Sequence, residues 1–354
     1  MTSLETQIVS PDRYSAWNDL VEQSPEGSIY SQPDYLAALC DAAGGTFRVA
    51  AIARGGALVG GAALYETQSI LHGRIAAPRR LLYYHGPVLE RYSGTYPSQG
   101  TARQVEVLSQ LADFLRDLDY DSIALKSPSS LRDVRPFLER GWRAAPTYTY
   151  VVPLSDLRSQ WEKVEGNLRR LITRCQQRDG VTFSDDADFD SFYRLHAMTM
   201  ERRSADTYLP QEPFRRYFAR LHGAGLARLF HARHPDGSVI ASQLVLLGRN
   251  RTCHTVCAGM DPAFGRLGAS AFLRWKSFEA LAELGYQAND LTDAALNSVT
   301  HFKSQFGGAL ECPLVVNSPR SLRNVAGTQC AGIAARARGI AARIASTAGR
   351  ALGR

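Results

Sequence analysis

The sequence predicts an α/β (α+β) protein made of two tandem copies of one unit, each with a mixed, mostly antiparallel sheet flanked by helices. The first observation behind this prediction is a repeated hairpin pattern. Residues 48–64 and 228–246 each contain two short apolar runs around a turn, which is Gly-Gly in the first segment and Asp-Gly in the second. Such a turn between apolar runs is typical of a β-hairpin, so each half is expected to contain one.

The second observation is that the two halves end alike. Residues 133–154 and 298–319 each contain a phenylalanine, then an aromatic residue and a glycine, and then a β-rich run. Matching positions are about 165 residues apart at these ends and about 180 at the hairpins, as loops of unequal length would produce. We interpret the pattern as an internal duplication, and two unrelated α/β domains in tandem are the alternative.

The elements between the hairpin and the end of each half also follow one order. In the first half, residues 101–118 have apolar side chains at helical spacing and are followed by a strand at 119–127. In the second half, a strand at 251–262 leads to a helix at 269–284 and then to a strand at 285–293. The same order in both halves favours the duplication.

A single helix is predicted between the two halves. Residues 159–178 place their apolar side chains on one helical face, and Gly180 ends the pattern. The predicted domains are therefore residues 1–155, residues 156–319 with the donor site, and a basic Ala/Arg-rich tail at 320–354.

Charge is concentrated in this tail. The chain has 354 residues and a net charge of +7, and the tail carries seven arginines with no lysine and no acidic residue. Without these seven, the chain has 34 basic and 34 acidic residues, so the body is neutral. Contact with RNA or with an anionic membrane therefore depends on the tail or on local patches, and a solvated appendage is the alternative.

The remaining composition predicts a cytoplasmic protein, and peripheral membrane contact through the tail is the alternative that the basic tail leaves open. The first residues lack the pattern of a secretory signal, and no apolar run approaches the ~20 residues of a membrane-spanning helix. Six cysteines are scattered along the chain without the spacing of a disulfide framework.

A glycine-containing turn before the helix at 269–284 is the strongest local signal of a binding site. A helix N-terminus presents unpaired N–H groups and a positive dipole end, which suit phosphate groups. A turn that only starts the helix is the alternative. The candidate donor-binding residues are Gly265, Arg266, Leu267, Gly268, Ala269 and Ser270. The first half has no such turn before its helix, so we expect it to be a supporting or acceptor-binding copy.

Four segments carry a resemblance to a known family. They are the motif HFKSQFGG at 301–308, the long segment 259–291, NLRR at 167–170 and RLHAMTMERR at 194–203. With the hairpins, they resemble the double-domain Gcn5-related (GNAT) acyltransferases over about residues 15–317. That family includes the Fem-type aminoacyl-tRNA-dependent peptidyltransferases of cell-wall synthesis and acetyltransferases of polysaccharide or natural-product synthesis.

The resemblance implies transfer of an acyl or aminoacyl group to an amine. It implies acyl-CoA or aminoacyl-tRNA as co-substrate, no permanently bound cofactor, no metal and no covalent enzyme intermediate. It also implies that Lys303, the lysine of the F-K-x-x-F-G motif, faces the site. The pyrophosphate motif of the family, Q/R-x-x-G-x-G/A, aligns with residues 265–270, where Gly268 matches while Gly265 and Ser270 differ.

Three residues are the main candidates for catalysis. Attack of an amine on an activated carbonyl needs a deprotonated amine, donors for the oxyanion, and positioning. We expect backbone N–H groups of the strand at 251–260 to polarise the carbonyl and Lys303 to hold a donor phosphate or stabilise negative charge. Asp290 and Asp293 are candidates for the base or for holding an ammonium acceptor, and His301 is a weaker one. The alternatives are a surface lysine and loop or capping aspartates.

Further candidates for substrate binding are five polar residues. Neighbours on a helix diverge by about 100°, so at most one of each arginine pair is expected to face a given cleft. Helix-surface ion pairs are the alternative for each arginine. These residues are Arg169, Arg170, Arg202, Arg203 and Asn297.

Two other patterns are interpreted as structural. His196 lies on an apolar-periodic segment and is expected to be a core histidine. In CHTVC, Cys253 and Cys257 are expected to share one face of a strand while His254 points away. This spacing is not that of a zinc site, so buried thiols are expected.

The sequence thus predicts an N-acyltransferase whose donor site lies in the second half. The first copy has Leu138 where the second has Lys303, which favours this placement. The expected acceptor is an amine on a sugar, peptide or small molecule in cell-envelope, polysaccharide or natural-product synthesis, with tRNA as a possible partner. The alternative is a catalytically inactive module that binds polysaccharide or peptide.

Overall fold

The computed structural model describes residues 3–321 and residue 324, and these form two mixed sheets flanked by helices. The predicted fold class is confirmed. The strands are β1 (Leu4–Ile8), β2 (Thr46–Arg54), β3 (Ala57–Ser69), β4 (Gly73–Ala76), β5 (Pro87–Leu89), β6 (Ser122–Ser127), β7 (Arg143–Pro146), β8 (Thr149–Pro153), β9 (Thr182–Asp185), β10 (Ala227–Arg233), β11 (Val239–Leu246), β12 (Thr252–Met260), β13 (Ala288–Asp290), β14 (Ala309–Glu311) and β15 (Leu314–Asn317).

The helices include both long amphipathic elements and single turns. They are α1 (Tyr14–Gln23), α2 (Pro33–Ala43), α3 (Pro97–Asp117), α4 (Arg135–Leu138), α5 (Leu157–Lys163), α6 (Gly166–Gln177), α7 (Phe189–Arg202), α8 (Gln211–Gly223), α9 (Ala269–Glu283) and α10 (Ser298–Ser304), with 3₁₀ turns at Pro11–Arg13, Ile29–Ser31 and Pro262–Leu267.

Both predicted hairpins form. Strands β2 and β3 pair around Gly55 and Gly56, whose φ angles of 58° and 82° are those of a type I′ turn. Strands β10 and β11 pair around a turn containing Gly237, which also has positive φ. The turn chemistry visible in the sequence therefore sets the register of both hairpins.

The predicted single helix at 159–178 is wrong, because it is two helices. Val164 and Glu165 are extended between α5 and α6. The N–H of Glu165 donates to the main-chain oxygen of Gln305, and the side chain of Gln160 donates to that of Phe306. These bonds tie the break to the HFKSQFGG segment, which the local apolar period could not indicate.

The two sheets exchange strands. The first sheet has the order β1-β2-β3-β4-β6-β15-β7, with β5 paired to β3, and the second has the order β14-β8-β13-β12-β11-β10-β9. Strand β8, at the end of the first half, therefore lies between β13 and β14 of the second sheet. Strand β15, at the end of the second half, lies between β6 and β7 of the first sheet.

The core that joins the halves is rich in aromatic residues. One hydrophobic cluster takes side chains from α1 and α2 in the first half and from α7, α8 and β11 in the second. Within it, Tyr217 donates a hydrogen bond to the hydroxyl of Tyr35, which in turn donates to the main-chain oxygen of Leu81. Each sheet also has a cluster of its own, against α3 in the first half and against α6 and α9 in the second.

Two further observations concern membrane-spanning helices and the C-terminal tail. Within the described residues, no helix has both the length and the apolar character needed to cross a membrane. The predicted basic stripe of the tail falls on residues 322–323 and 325–354, which lie outside the described residues.

Candidate functional site

The site begins where two neighbouring strands separate. Strands β12 and β13 run parallel and pair from Thr252 opposite Ala288 to His254 opposite Asp290. Beyond that point β12 continues to Met260, while the chain leaves β13 through Thr292 and Asp293. Both of these residues are in the left-handed region, with φ of 48° and 54°. A wedge-shaped gap therefore opens beside the free edge of β12.

A bulge in β12 lies at the mouth of this gap. Thr255 is opposite Val245 and Cys257 is opposite Leu244, so Val256 is an extra residue. This bulge disrupts the pairing with β11 locally and turns the strand. On its other edge, β12 has no described strand partner beyond His254, where the pairing with β13 ends.

The bulge also corrects the expected placement of the cysteines. Cys253 packs in the cluster against α6 and α9, whereas Cys257 packs in the cluster that joins the halves. They lie on opposite faces because the extra residue reverses the alternation of side chains. Both thiols are buried, as predicted, and burial raises the pKa of Cys253 to about 12.

The gap leads into a cleft with two lobes. The donor lobe, about 360 Å³ and named, like the acceptor lobe, for the role proposed for it below, lies beside the N-terminus of α9, the end of α7 and strands β11 and β12. The acceptor lobe, about 170 Å³, lies on the side of the first half, between α7, β12 and the turn after β13. Five residues line both lobes and form the waist of the cleft: Arg203, Ala258, Arg274, Val299 and Lys303.

Lys303, the lysine of the F-K-x-x-F-G motif, lies in this waist. Its Nζ donates 2.6 Å to the main-chain oxygen of Asp293 and also donates to that of Thr292. Burial, and then the positive charge of Arg274, lower the pKa of Lys303 to about 8. Helix α10 holds the lysine here, and its N-cap is the side chain of Asn297, which accepts 3.0 Å bonds from two N–H groups.

Arg274 is a waist residue that the sequence analysis missed. It lies on α9 and is 6% exposed, and no described group accepts a hydrogen bond from its Nε or Nη1. Burial lowers the pKa of its guanidinium to about 10. The available signal was an arginine inside the apolar run AFLRW, which a helical-period analysis passes over.

The four predicted arginines separate into two pairs. Arg202 and Arg203 both line the donor lobe, against the expectation of one per pair. The helical divergence of 100° does not apply, because α7 ends at Arg202 and Arg203 is its C-cap outside the helix. Arg169 and Arg170 lie on α6 and line neither lobe, and the Arg170 guanidinium donates to Asn167.

The two predicted aspartates have different surroundings. Asp293 is exposed and lines the acceptor lobe, as does Asn297. Asp290 is buried, lines neither lobe, and accepts hydrogen bonds from Thr149 Oγ1 (2.5 Å), Tyr84 Oη (2.5 Å) and the N–H of Thr292 (2.7 Å).

The negative charge of Asp290 is stabilised by its neighbours. Burial alone would raise the pKa of Asp290, but His254 and the hydroxyl donors outweigh burial and lower it. Asp290 thus fixes the turn that carries Thr292 and Asp293, without touching the space a substrate would occupy.

The predicted donor turn lies at the rim of the donor lobe, but only half of it faces the lobe. Gly265, Gly268 and Ser270 line the lobe, whereas Arg266, Leu267 and Ala269 do not. The segment before α9 is a 3₁₀ turn rather than an open loop. Gly268 has φ of 77°, and a Cβ there would lie 2.2 Å from Leu171, so glycine is required for both conformation and space.

One residue of the first half lines the acceptor lobe. Tyr83 lines this lobe and donates a 3.4 Å bond to the main-chain oxygen of Val256. The Arg80 guanidinium donates to the main-chain oxygens of Asp206 and Thr207 and ties the same segment to the second half. Sequence patterns did not indicate this contact between distant loops.

His196 is both a core residue and a wall of the acceptor lobe. It is fully buried and stacks on Phe192, as predicted, but it also lines the lobe. Its Nε2 accepts a 3.3 Å bond from the N–H of Tyr208, so the proton of the neutral ring belongs on Nδ1. Burial lowers the pKa of His196 to about 4, so the ring is neutral at physiological pH.

Among residues 3–321 and 324, no group of three or more His, Cys, Asp or Glu side chains is arranged to hold a metal ion.

The fold and the family comparison agree on the class of protein. Residues 162–304, which contain most of the cleft, match the family model described as an acetyltransferase (GNAT) domain. Residues 162–304 thus form a GNAT domain, and a second sheet of similar build is joined to it by strand exchange.

Solved structures of three relatives have the same overall fold. FemX matches with a TM-score of 0.70 and 14% identity over 88% of this chain and 96% of FemX. L-PGS from Bacillus licheniformis matches with 0.55 and 12%, over 89% and 94% of the two chains. A tandem GNAT protein from the clavulanic acid biosynthesis pathway matches with 0.54 and 13%, over 90% and 100%. At these identities the likeness concerns the fold, and no curated protein matches the sequence.

Proposed function

We propose that the chain is an N-acyltransferase that moves an acyl or aminoacyl group from a donor in the donor lobe to an amine in the acceptor lobe. The observation that carries this proposal is the meeting of the two lobes at Lys303, beside the free edge of β12. A reaction between two bound molecules needs two such spaces that touch at one point, where positioning replaces a bimolecular encounter.

The proposed donor is an acyl-CoA. Its phosphates would lie at the N-terminus of α9, near Gly268 and Ser270, with Arg202 beside them. Arg202 is anchored there, since it donates to the main-chain oxygen of Met260 (3.2 Å). The donor lobe is large enough for the pantetheine arm, which would bring the thioester to the waist.

Aminoacyl-tRNA is the second candidate donor. The similarity of the fold to FemX and to L-PGS favours it, as do Arg202 and Arg203 at the end of α7, which line the donor lobe. The neutral body of the chain counts against it, because tRNA binding depends on many phosphate contacts. The two donors are therefore tested side by side.

The proposed chemistry is direct attack of the amine on the carbonyl. The C–N bond forms, the C–S or C–O bond breaks, and one proton leaves the amine for Asp293 or solvent. Main-chain N–H groups at the bulge of β12 and the Lys303 ammonium would stabilise the oxyanion and then the leaving group. Asp290 would act as a positioning residue that fixes the turn carrying Asp293.

The setting we propose is cell-envelope, polysaccharide or natural-product synthesis, with a peptide, sugar or small-molecule amine as the acceptor. The fold relatives include FemX and a protein of clavulanic acid biosynthesis, which support an envelope or a small-molecule setting respectively.

The test is a donor titration followed by an acylation assay on the full chain. If the donor lobe binds CoA, thermal stability rises with CoA concentration by mass action. Free CoA release is then measured with acetyl-CoA and a panel of amines, and product formation with charged tRNA. Turnover with acetyl-CoA supports the first donor. If only charged tRNA gives stabilisation and turnover, and both are lost at high salt, aminoacyl-tRNA becomes the proposed donor. Binding of peptide or polysaccharide with neither donor bound or consumed would favour the inactive module.

A further inference from the structure

The waist of the cleft holds more positive charge than its surroundings balance. Arg203, Arg274 and Lys303 line both lobes, and Asp293 is the one acidic side chain lining either lobe among the described residues. Burial lowers the pKa of Lys303 most, and the charges of Arg274 and Arg203 lower it further. An anion bound here would relieve the repulsion among three cations.

Arg274 is the residue that most needs such an anion. It is 6% exposed and makes no described ion pair, and its buried Nε and Nη1 have no acceptor. A buried cation without a partner is costly, so such groups are normally paired. A guanidinium also presents its donors as a planar fork that matches a carboxylate with two parallel hydrogen bonds.

We propose that the acceptor is an amine that also carries a carboxylate a few bonds away, as an amino acid does, and that Arg274 binds this carboxylate with help from Lys303 and Arg203. This inference rests on the proposed function and specifies its acceptor. The acceptor ammonium would then lie toward the carboxylate of Asp293, which lines the same lobe.

The size and charge of the lobe fit this class of acceptor. Its volume of about 170 Å³ lies below the roughly 300–1,000 Å³ typical of pockets for drug-sized ligands, so it takes a small group. Three neighbouring cations also favour the neutral form of an amine, which is the form that attacks a carbonyl. The carboxylate thus anchors an acceptor whose amine the same cations help to deprotonate.

The test compares amino acids with their amides as ligands of the full chain. Thermal stabilisation is titrated with glycine, L-alanine and L-glutamate and with glycinamide and L-alaninamide, once without CoA and once with it. We expect the acids to stabilise the wild type and the amides to do so much less. In Arg274→Met, the acids should bind about thirtyfold more weakly or worse, so the difference between acid and amide is lost. Lys276→Met, on the same helix but outside the cleft, should keep it.

A purely structural arginine would behave differently. Equal stabilisation by acids and amides in the wild type, or a difference retained in Arg274→Met, would overturn the inference. If Arg274→Met fails to fold, Arg274→Lys is used instead, because it keeps the positive charge but not the planar guanidinium donors. Undiminished binding of the acids by Arg274→Lys would also overturn the inference. Because CoA binding is read separately, stabilisation by CoA without any effect of the acids would remove this inference and leave the acyltransferase proposal standing.

Discussion

Lys303 on α10 donates a 2.6 Å hydrogen bond to the main-chain oxygen of Asp293, the residue at which the chain turns away from β13 in a left-handed conformation. The bond connects α10 to the turn at which the chain leaves β13 and separates from β12. A charged group at the waist is therefore held by the same turn that opens the cleft.

The lowered pKa of Lys303 predicts a pH effect on stability. Burial lowers this pKa from 10.5 to about 8, so between these values the unfolded chain binds the proton that the folded chain has lost. Stability therefore gains a contribution as pH rises through this window, and below about 8 that contribution is absent. Urea unfolding of wild type and Lys303→Met from about pH 7 to about pH 10 should show wild type gaining relative to the variant. If the stability of the two proteins changed with pH in parallel, the environment of Lys303 would not be buried and close to other cations.

Substitutions of Asp290 and Asp293 should affect different properties, stability for Asp290 and binding of the amine for Asp293. Asp290→Asn weakens bonds to Tyr84, Thr149 and Thr292 inside the protein and should cost about 2–4 kcal/mol in urea unfolding. Asp293→Asn changes an exposed side chain and should stay within about 0.5 kcal/mol while raising KM for the amine. A stable Asp290→Asn protein with normal kinetics would show that the buried carboxylate does not hold the turn.

Gly268 and Gly265 provide a matched pair at the rim of the donor lobe. Gly268→Ala places a Cβ at positive φ and against Leu171, so it should destabilise the protein by about 1–3 kcal/mol and weaken CoA binding. Gly265→Ala meets only Met260 at 3.9 Å and should be tolerated. Thermal unfolding and CoA titration of both variants check this. Equal effects on stability would mean that the conformation of Gly268 is not required.

Strand exchange predicts that neither half folds alone. A fragment of residues 1–155 lacks β15, which pairs with β6 and β7, and it keeps β8 without its partners. Far-UV circular dichroism and amide exchange should show each fragment, 1–155 and 156–354, to be largely unfolded, and co-expression should restore a complex. Two independently folded fragments would support separate domains at the predicted boundary instead.

Much of the fold was predictable because its signals are local. The turns at Gly55 and Asp236, and the periods of α3 and α9, depend only on neighbouring residues. Strand exchange was not predictable, because the four residues of β15 carry no information about which sheet they join. The break before Gly166 also depends on a distant partner, Gln305.

The residues of the candidate site also divide into those with a local signal in the sequence and those without one. Lys303 was found through a motif, and the turn around Gly268 through its place before a helix. Arg274 and Tyr83 were missed, since one lies inside an apolar helix and the other reaches the cleft from a loop of the first half. Their roles depend on which elements meet in space.

The central claim is that Lys303 acts at the junction of the two lobes. Its most direct test is the rate of amine acylation, with the donor that the titrations identify, for wild type, Lys303→Ala and the control Lys163→Ala, whose lysine is exposed on α5. We predict a fall in kcat of about 10²–10³ for Lys303→Ala, with the KM for the donor little changed, and normal rates for the control. An unchanged kcat in Lys303→Ala would contradict the account.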